Sequence, residues 1–145
     1  MTLLLSLLHS GSLDEVSSLP GAPPLPTGHF AGFLNYSISS PAAQLETFYY
    51  HVQHANKSAP LCVWMNGGPG ASSLMGLFTE LGPQLLNNRA GPDFQLQDNP
   101  HAWSHLASLL VWEQPAGVGF SRCAGGAPCG FVWDDAKGAS ANLAF

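Results

Sequence analysis

Positive charge is the scarcest ingredient of this sequence. Four cations, Lys57, Arg89, Arg122 and Lys137, face nine acidic residues over 145 positions, and only 9% of the chain is charged. A net charge of -5 with the cations scattered leaves no basic face to hold phosphates, which excludes nucleic acid as an expected partner. Long apolar runs are scarce too. The stretch Leu3 to Leu8 in MTLLLSLLHSGS is far short of the ~20 apolar residues of a membrane span. It is also shorter than the roughly 7–15 residues of a secretory leader's apolar core, and no Lys or Arg precedes it. Residues 1–13 therefore read as a degenerate signal-like or a mis-started segment, and no membrane span is expected.

Cysteine is limited to three residues. Cys62, inside the apolar run LCVWM (61–65), reads as a small buried hydrophobe. Cys123 and Cys129 bracket the turn-rich RCAGGAPCG and form either a local disulfide in an oxidising compartment or two free thiols. Their spacing, with no adjacent His or second pair, does not make a zinc site. The six histidines form no metal site either. His51 and His54 fall on opposite faces of a strand, nothing like HExxH accompanies His101 and His105, and all four read as surface residues. Neither metal nor cofactor is expected. Two Asn-x-Ser sequons, at Asn35 and Asn56, are possible N-glycosylation sites and suit a secreted chain.

What the sequence does have is apolar content: 46% of its residues, including four Trp, ample for the core of one modest domain. After a Pro-rich lead-in (14–29), FAGFLNYSI (30–38) and QLETFYYHVQHA (44–55) read as an antiparallel strand pair around a Ser-Ser-Pro turn. LCVWMN (61–66) is a continuous apolar run that suits a strand covered on both faces. Gly67-Gly68-Pro69-Gly70 breaks it, and SSLMGLFTEL (72–81) has helical apolar spacing ended by Gly82-Pro83. FQLQ (94–97) reads as a short strand, HAWSHLA (101–107) as a helical turn and SLLVWEQ (108–114) as a buried strand. The last segment, WDDAKGASANLAF, opens as a helix capped by Asp134 or Asp135.

Three blocks, WMNGGPGASSLMGLFTELGP (64–83), NPHAW (99–103) and WEQPAGVGFS (112–121), together resemble the serine carboxypeptidase family, in the same order and at comparable spacing. The resemblance runs from about Asp14 to the last residue. It implies an α/β class and an incomplete α/β-hydrolase, in which an N-terminal antiparallel strand pair leads into a mostly parallel sheet with flanking helices. Residues 14–145 would then be the N-terminal part of that domain. It also implies release of C-terminal residues from peptides, with peptide or protein C-termini as partners, in a vacuole-like, lysosome-like or extracellular compartment of the secretory pathway.

The residues make chemical sense of that implication. A strand ending in Asn66-Gly67-Gly68 brings backbone N–H groups to the edge of a sheet with no Cβ in the way, where they can meet a developing oxyanion. By resemblance, Gly68 with the Gly67 turn supplies an oxyanion-hole amide. Asn66 and Trp64 shape the pocket for the substrate's terminal carboxylate, and Glu80, protonated, binds the same group. The plain alternatives are a tight strand-to-helix turn for the glycines, a core position for Trp64 and a solvated helix residue in Glu80. Glu113 closes a buried strand as a structural or pocket-lining group.

The hydrolase fold also needs a nucleophile in a Gly-x-Ser-x-Gly elbow, followed by Asp and His. The 145 residues hold no such elbow, and no Ser-Asp-His triad is assigned. The chain read by itself is thus an inactive part of a serine-type carboxypeptidase. The alternatives are a non-catalytic truncated pseudoenzyme, a fragment that binds peptide C-termini or a homologue, and a same-fold acyltransferase. Two departures from the family pattern stand out: Ala71 replaces a Cys after the NGGPG turn, and Arg122 opens a Gly-Cys insertion where the family continues with Tyr. Without the neighbouring strand that leads to the nucleophile, LCVWM would form an apolar sheet edge prone to aggregation.

Overall fold

The computed structural model describes residues 14–39, 42–87, 95–124 and 129–144. The signal-like segment 1–13, most of the Ser-Ser-Pro turn, Arg89, Phe94 and the heart of the Cys-bracketed loop lie outside these residues. Among the described residues no helix is long and apolar enough to cross a membrane.

Two long strands, β1 (His29–Ser39) and β2 (Ala42–Val52), pair antiparallel in full register, from His29 opposite Val52 to Ser39 opposite Ala42. This is the strand pair predicted from the alternation of FAGFLNYSI and the aromatic, β-branched run after it. Then come β3 (Leu61–Trp64), a four-residue helix α1 (Ser73–Gly76) and, without a break, a π-helical turn (Leu77–Leu81). A small antiparallel pair, β4 (Gln84–Leu86) and β5 (Leu96–Asp98), follows, and after it a 3₁₀ turn (Trp103–His105). The chain closes with β6 (Ser108–Trp112), β7 (Arg122–Cys123) and a helix α2 (Asp135–Ala144).

The main sheet runs β1-β2-β6-β3, with β7 beside the start of β2. β2 and β6 are antiparallel, placing Tyr50 opposite Val111 and Val52 opposite Leu109. β3 and β6 are parallel, with Cys62 opposite Leu109. Alternation along β2 and β6 then builds two layers. Tyr50, Val52, Leu109 and Val111 face Leu77 and Leu81 of the π turn, whereas Tyr49, Leu110 and Trp112 face the opposite side with Phe30, Leu34 and Leu61. A third cluster, Ile38, Leu45, Ala116, Cys123 and Ala141, joins α2 to the strand pair.

Four expectations change. His51 is buried, not on the surface, because β2 is a central strand between β1 and β6; its ring stacks on Phe30 at 5.8 Å. β3 is not covered on both faces. It is the outer strand of the described sheet, and Val63 is 43% exposed. Cys62 is a half-buried free thiol that packs beside the core. The helix expected over 72–81 forms, but its second half widens to π geometry, where the Gly82 amide reaches back five residues to the Leu77 carbonyl at 3.0 Å. A Cβ at Gly82 would collide with that carbonyl, so this close approach needs glycine.

Candidate functional site

The NGGPG turn stands at the carboxyl end of β3, where the parallel pairing with β6 stops. Gly68 has φ +132°, and a Cβ there would lie 3.0 Å from the Gly70 nitrogen. Both the backbone angle and the space therefore demand glycine. The Gly67, Gly68 and Gly70 backbones are exposed, and the Gly67 and Gly68 amides donate to no group among the described residues. One internal bond, from the Ala71 amide to the Gly67 carbonyl at 3.3 Å, closes the loop.

Asn66 is fixed on two sides. Its amide N–H donates to Ser73 Oγ at 3.1 Å, and its Oδ1 accepts from the Trp64 indole at 2.7 Å. An indole N–H can only donate, so the Asn66 carbonyl oxygen faces Trp64 and Nδ2 is left as the donating group of the side chain. Trp64 is half-buried and meets Trp103 edge to face, with ring centroids 5.6 Å apart. The NPHAW block thus packs against the first block. Its Asn99 is buried and clasps the end of the π turn, donating from Nδ2 to the Gly82 carbonyl at 2.9 Å and the Glu80 carbonyl at 3.2 Å.

The third block meets the first through Glu113. This residue is 1% exposed; its Oε1 accepts from the Ser72 hydroxyl, and its Oε2 accepts from the Phe120 amide at 2.5 Å. Gly119, at φ +53°, passes so close that a Cβ would overlap the carboxylate. Ser121 Oγ donates to the Glu113 carbonyl at 2.6 Å and accepts from the Phe48 amide at 2.8 Å, which ties the loop to β2.

Beside the turn lies a cleft of about 560 Å³, walled by Asn66, Gly67, Gly68 and Gln114 on one side and by Trp133 and α2 on the other. Asp134 caps α2, its Oδ1 accepting from the Lys137 amide at 2.9 Å. Hydrogen bonds to Lys137 hold the Asp134 carboxyl below its usual range. Trp133 is fixed by its indole N–H on the Ala116 carbonyl at 2.8 Å. Cys123 and Cys129 are joined by a disulfide, with Cα atoms 5.4 Å apart.

The structure brings Gly67, Gly68 and Asn66 together on this cleft and places Trp64 directly behind Asn66. Glu80 is exposed on the π turn and is not part of the cleft wall. Both sequon residues, Asn35 on β1 and Asn56 in the turn after β2, are exposed. No group of three or more His, Cys, Asp or Glu suited to a metal ion occurs among the described residues. Sequence reasoning missed Ser72, Ser73 and Trp103 as parts of the site. The signal was the spacing itself, since each belongs to one of the three quoted blocks.

The family model that matches the chain is that of serine carboxypeptidases, over residues 20–145. The chain is 41% identical to serine carboxypeptidase-like 32 of Arabidopsis thaliana over 109 residues, covering 74% of this chain and 23% of that protein. It is equally similar, at 41%, to the lysosomal protective protein of Mus musculus, covering 74% of this chain and 22% of the relative. Among solved structures it is similar to Kex1(delta)p, a prohormone-processing carboxypeptidase from Saccharomyces cerevisiae. That likeness has a TM-score of 0.53 and 31% identity, over 65% of this chain and 20% of that one. The chain spans between a fifth and a quarter of the length of the curated relatives it matches.

Proposed function

The chain belongs to the serine carboxypeptidase family, and on that premise we propose that it forms the oxyanion and carboxylate-binding part of an enzyme that releases C-terminal residues from peptides. The observation that carries this reading is the Asn66-Gly67-Gly68 turn. Its Gly67 and Gly68 amides are exposed at a strand end beside a cleft and donate to no group among the described residues. Gly68 N–H would donate to the oxyanion as the scissile carbonyl becomes tetrahedral, a position where one preorganised donor is worth about 3 kcal/mol. Asn66 Nδ2, left as the donating group by the Trp64 bond, would donate to the terminal carboxylate of the peptide. Glu80, exposed on the neighbouring π turn, stands outside the cleft wall, so the carboxylate is assigned to Asn66 alone.

No Gly-x-Ser-x-Gly nucleophile elbow occurs in these 145 residues, and an oxyanion hole and binding without the triad keep only about 10³–10⁴-fold acceleration over water, a small part of a protease's rate. We therefore assign proteolysis to a longer product of the same locus and assign substrate binding to this chain. A disulfide at Cys123–Cys129 and two exposed sequons support an oxidising compartment of the secretory pathway, lysosome-like, vacuole-like or extracellular. The test is to read the source locus downstream of Phe145, express the product and assay release from blocked peptides with a free C-terminus. Release that is abolished by a serine-directed fluorophosphonate is expected. A locus without a Gly-x-Ser-x-Gly segment, or a full product without release, overturns the peptidase reading. The non-catalytic peptide-binding reading would then stand in its place, favoured by the same exposed amides.

A further inference from the structure

Glu113 is a buried carboxylate with no assigned task. Among the described residues it forms no ion pair, yet both its oxygens are engaged, by the Ser72 hydroxyl and the Phe120 amide. Ser72 occupies the N-cap position of α1, with φ -62° and ψ 131°, but its hydroxyl makes no capping bond. A serine at this position ordinarily turns its oxygen to the first free amides of the helix. Here the hydroxyl is diverted to Glu113 instead. The Gly67–Ala71 loop is thereby strung between two fixed ends. Asn66 is held by Ser73 and Trp64, and Ser72 is held by the end of β6.

We propose that Glu113 is the positioning residue of the oxyanion turn. Acting through Ser72, it sets the Gly67 and Gly68 amides relative to the end of β3, and it touches neither substrate nor reacting atoms. The loop after β6 is shaped for this task, because glycine at 119 is what allows the chain to wrap the carboxylate and the Phe120 amide to reach it. A carboxylate suits the place because the Phe120 N–H can only donate, while the Ser72 hydroxyl can donate or accept. Glutamine could therefore keep both contacts, accepting from Phe120 and donating to a reversed Ser72. Alanine keeps neither.

The proposal rests on the oxyanion reading for its purpose, but its test reads the turn directly. Amide ¹⁵N relaxation of Gly67, Gly68 and Gly70 in the 145-residue chain is expected to give order parameters of about 0.85. In Ser72→Ala they should drop below about 0.6, while the strands stay rigid. Ser72→Thr, which restores the hydroxyl, should recover the native values, and Glu113→Gln should stay near them. Unchanged order parameters in Ser72→Ala, with the sheet intact, overturn the proposal. In the longer product, Ser72→Ala should lower kcat about 10–100-fold at nearly constant KM. If the wild-type product releases no residues while Ser72→Ala still loosens the turn, the peptidase reading fails and the positioning role stands. If release is normal in both, the positioning role fails alone.

Discussion

The Trp64 indole donates to Asn66 Oδ1 at 2.7 Å across the backbone of Gly76. A Cβ at position 76 would lie 2.5 Å from the indole nitrogen and 2.6 Å from that oxygen. Gly76 has φ -59°, an ordinary helical value, so space and not backbone angle calls for glycine here. Helix α1 crosses the end of β3 at this point, and the missing side chain lets it come close enough for Ser73 to reach Asn66.

Gly76→Ala sets two effects against each other. Alanine favours the helix by up to about 1 kcal/mol, whereas overpacking a tight contact costs about 1–3 kcal/mol. The overlap here is with both partners of a hydrogen bond, so the second effect wins and the variant should be less stable by about 1–2 kcal/mol. Urea unfolding checks the sign, and a more stable variant would show that the helix can move away freely.

His29 makes stability depend on acid. It is buried at 2% exposure, its Nδ1 pairs with the Tyr50 hydroxyl at 2.9 Å, and its Nε2 has no partner among the described residues. Burial pushes its pKa from 6.5 down to about 4. Between these values the unfolded chain binds a proton that the folded chain refuses. Stability held by the neutral imidazole is therefore present above pH 6.5 and declines as the pH falls towards 4. His29→Leu should flatten that slope while losing stability at neutral pH, since Tyr50 then lacks its partner. Equal slopes in urea titrations of the two proteins from pH 7.5 to 4 would count against it.

Much of this architecture could be read in advance, and the failures share a cause. The β1–β2 pair was legible because alternation and a turn signal are local. The tight turn at Gly67–Gly70 was legible because Gly-Gly-Pro-Gly after an apolar run is a local break signal. His51 was misplaced because two neighbouring strands, one of them 59 residues away at its partner Leu110, decide its burial. The π half of the 72–81 helix depends on how Leu77 and Leu81 seat on the sheet, which helical spacing alone does not encode. Glu113 was recognised as the close of a buried strand. Its bond to Ser72 spans 41 positions and exists only after the sheet has formed.

The outer strand β3 exposes Val63 and, just beyond it, Met65 at 39%. An uncovered apolar edge invites pairing with another chain. The 145-residue chain should self-associate with rising concentration, and Val63→Lys should suppress this without changing the far-ultraviolet spectrum. Sedimentation of both over a tenfold concentration range decides it. A wild-type chain that stays monomeric throughout would show that the edge is protected.

The Cys123–Cys129 disulfide closes a loop of sequence separation 6. The chain-entropy relation gives about 2 kcal/mol for so short a loop. Cys123 also pairs with Leu45 on β2 and belongs to the cluster under α2. Reduction, or Cys129→Ser, should therefore lower the urea midpoint and loosen the Trp133 side of the cleft before the central sheet is affected. Trp133 fluorescence and the amide signal of β6 should then report separate transitions. Coincident, unshifted transitions would remove any role for this bond in stability.

Asn66 tests binding apart from catalysis. The Trp64 bond engages Oδ1 and leaves Nδ2 as the remaining donor of a residue that walls the cleft, so a peptide with a free C-terminal carboxylate should bind more tightly than its amide. A charge-assisted hydrogen bond is worth about 1.5–3 kcal/mol, or roughly 10–100-fold in affinity. Asn66→Ala should erase that preference, while Asn66→Asp, which puts a negative oxygen where the donor was, should repel the free acid. Calorimetric titration of the acid and the amide against each variant gives the comparison. Equal binding of both peptides by the native chain would assign Asn66 to holding the turn together and leave carboxylate recognition to other residues.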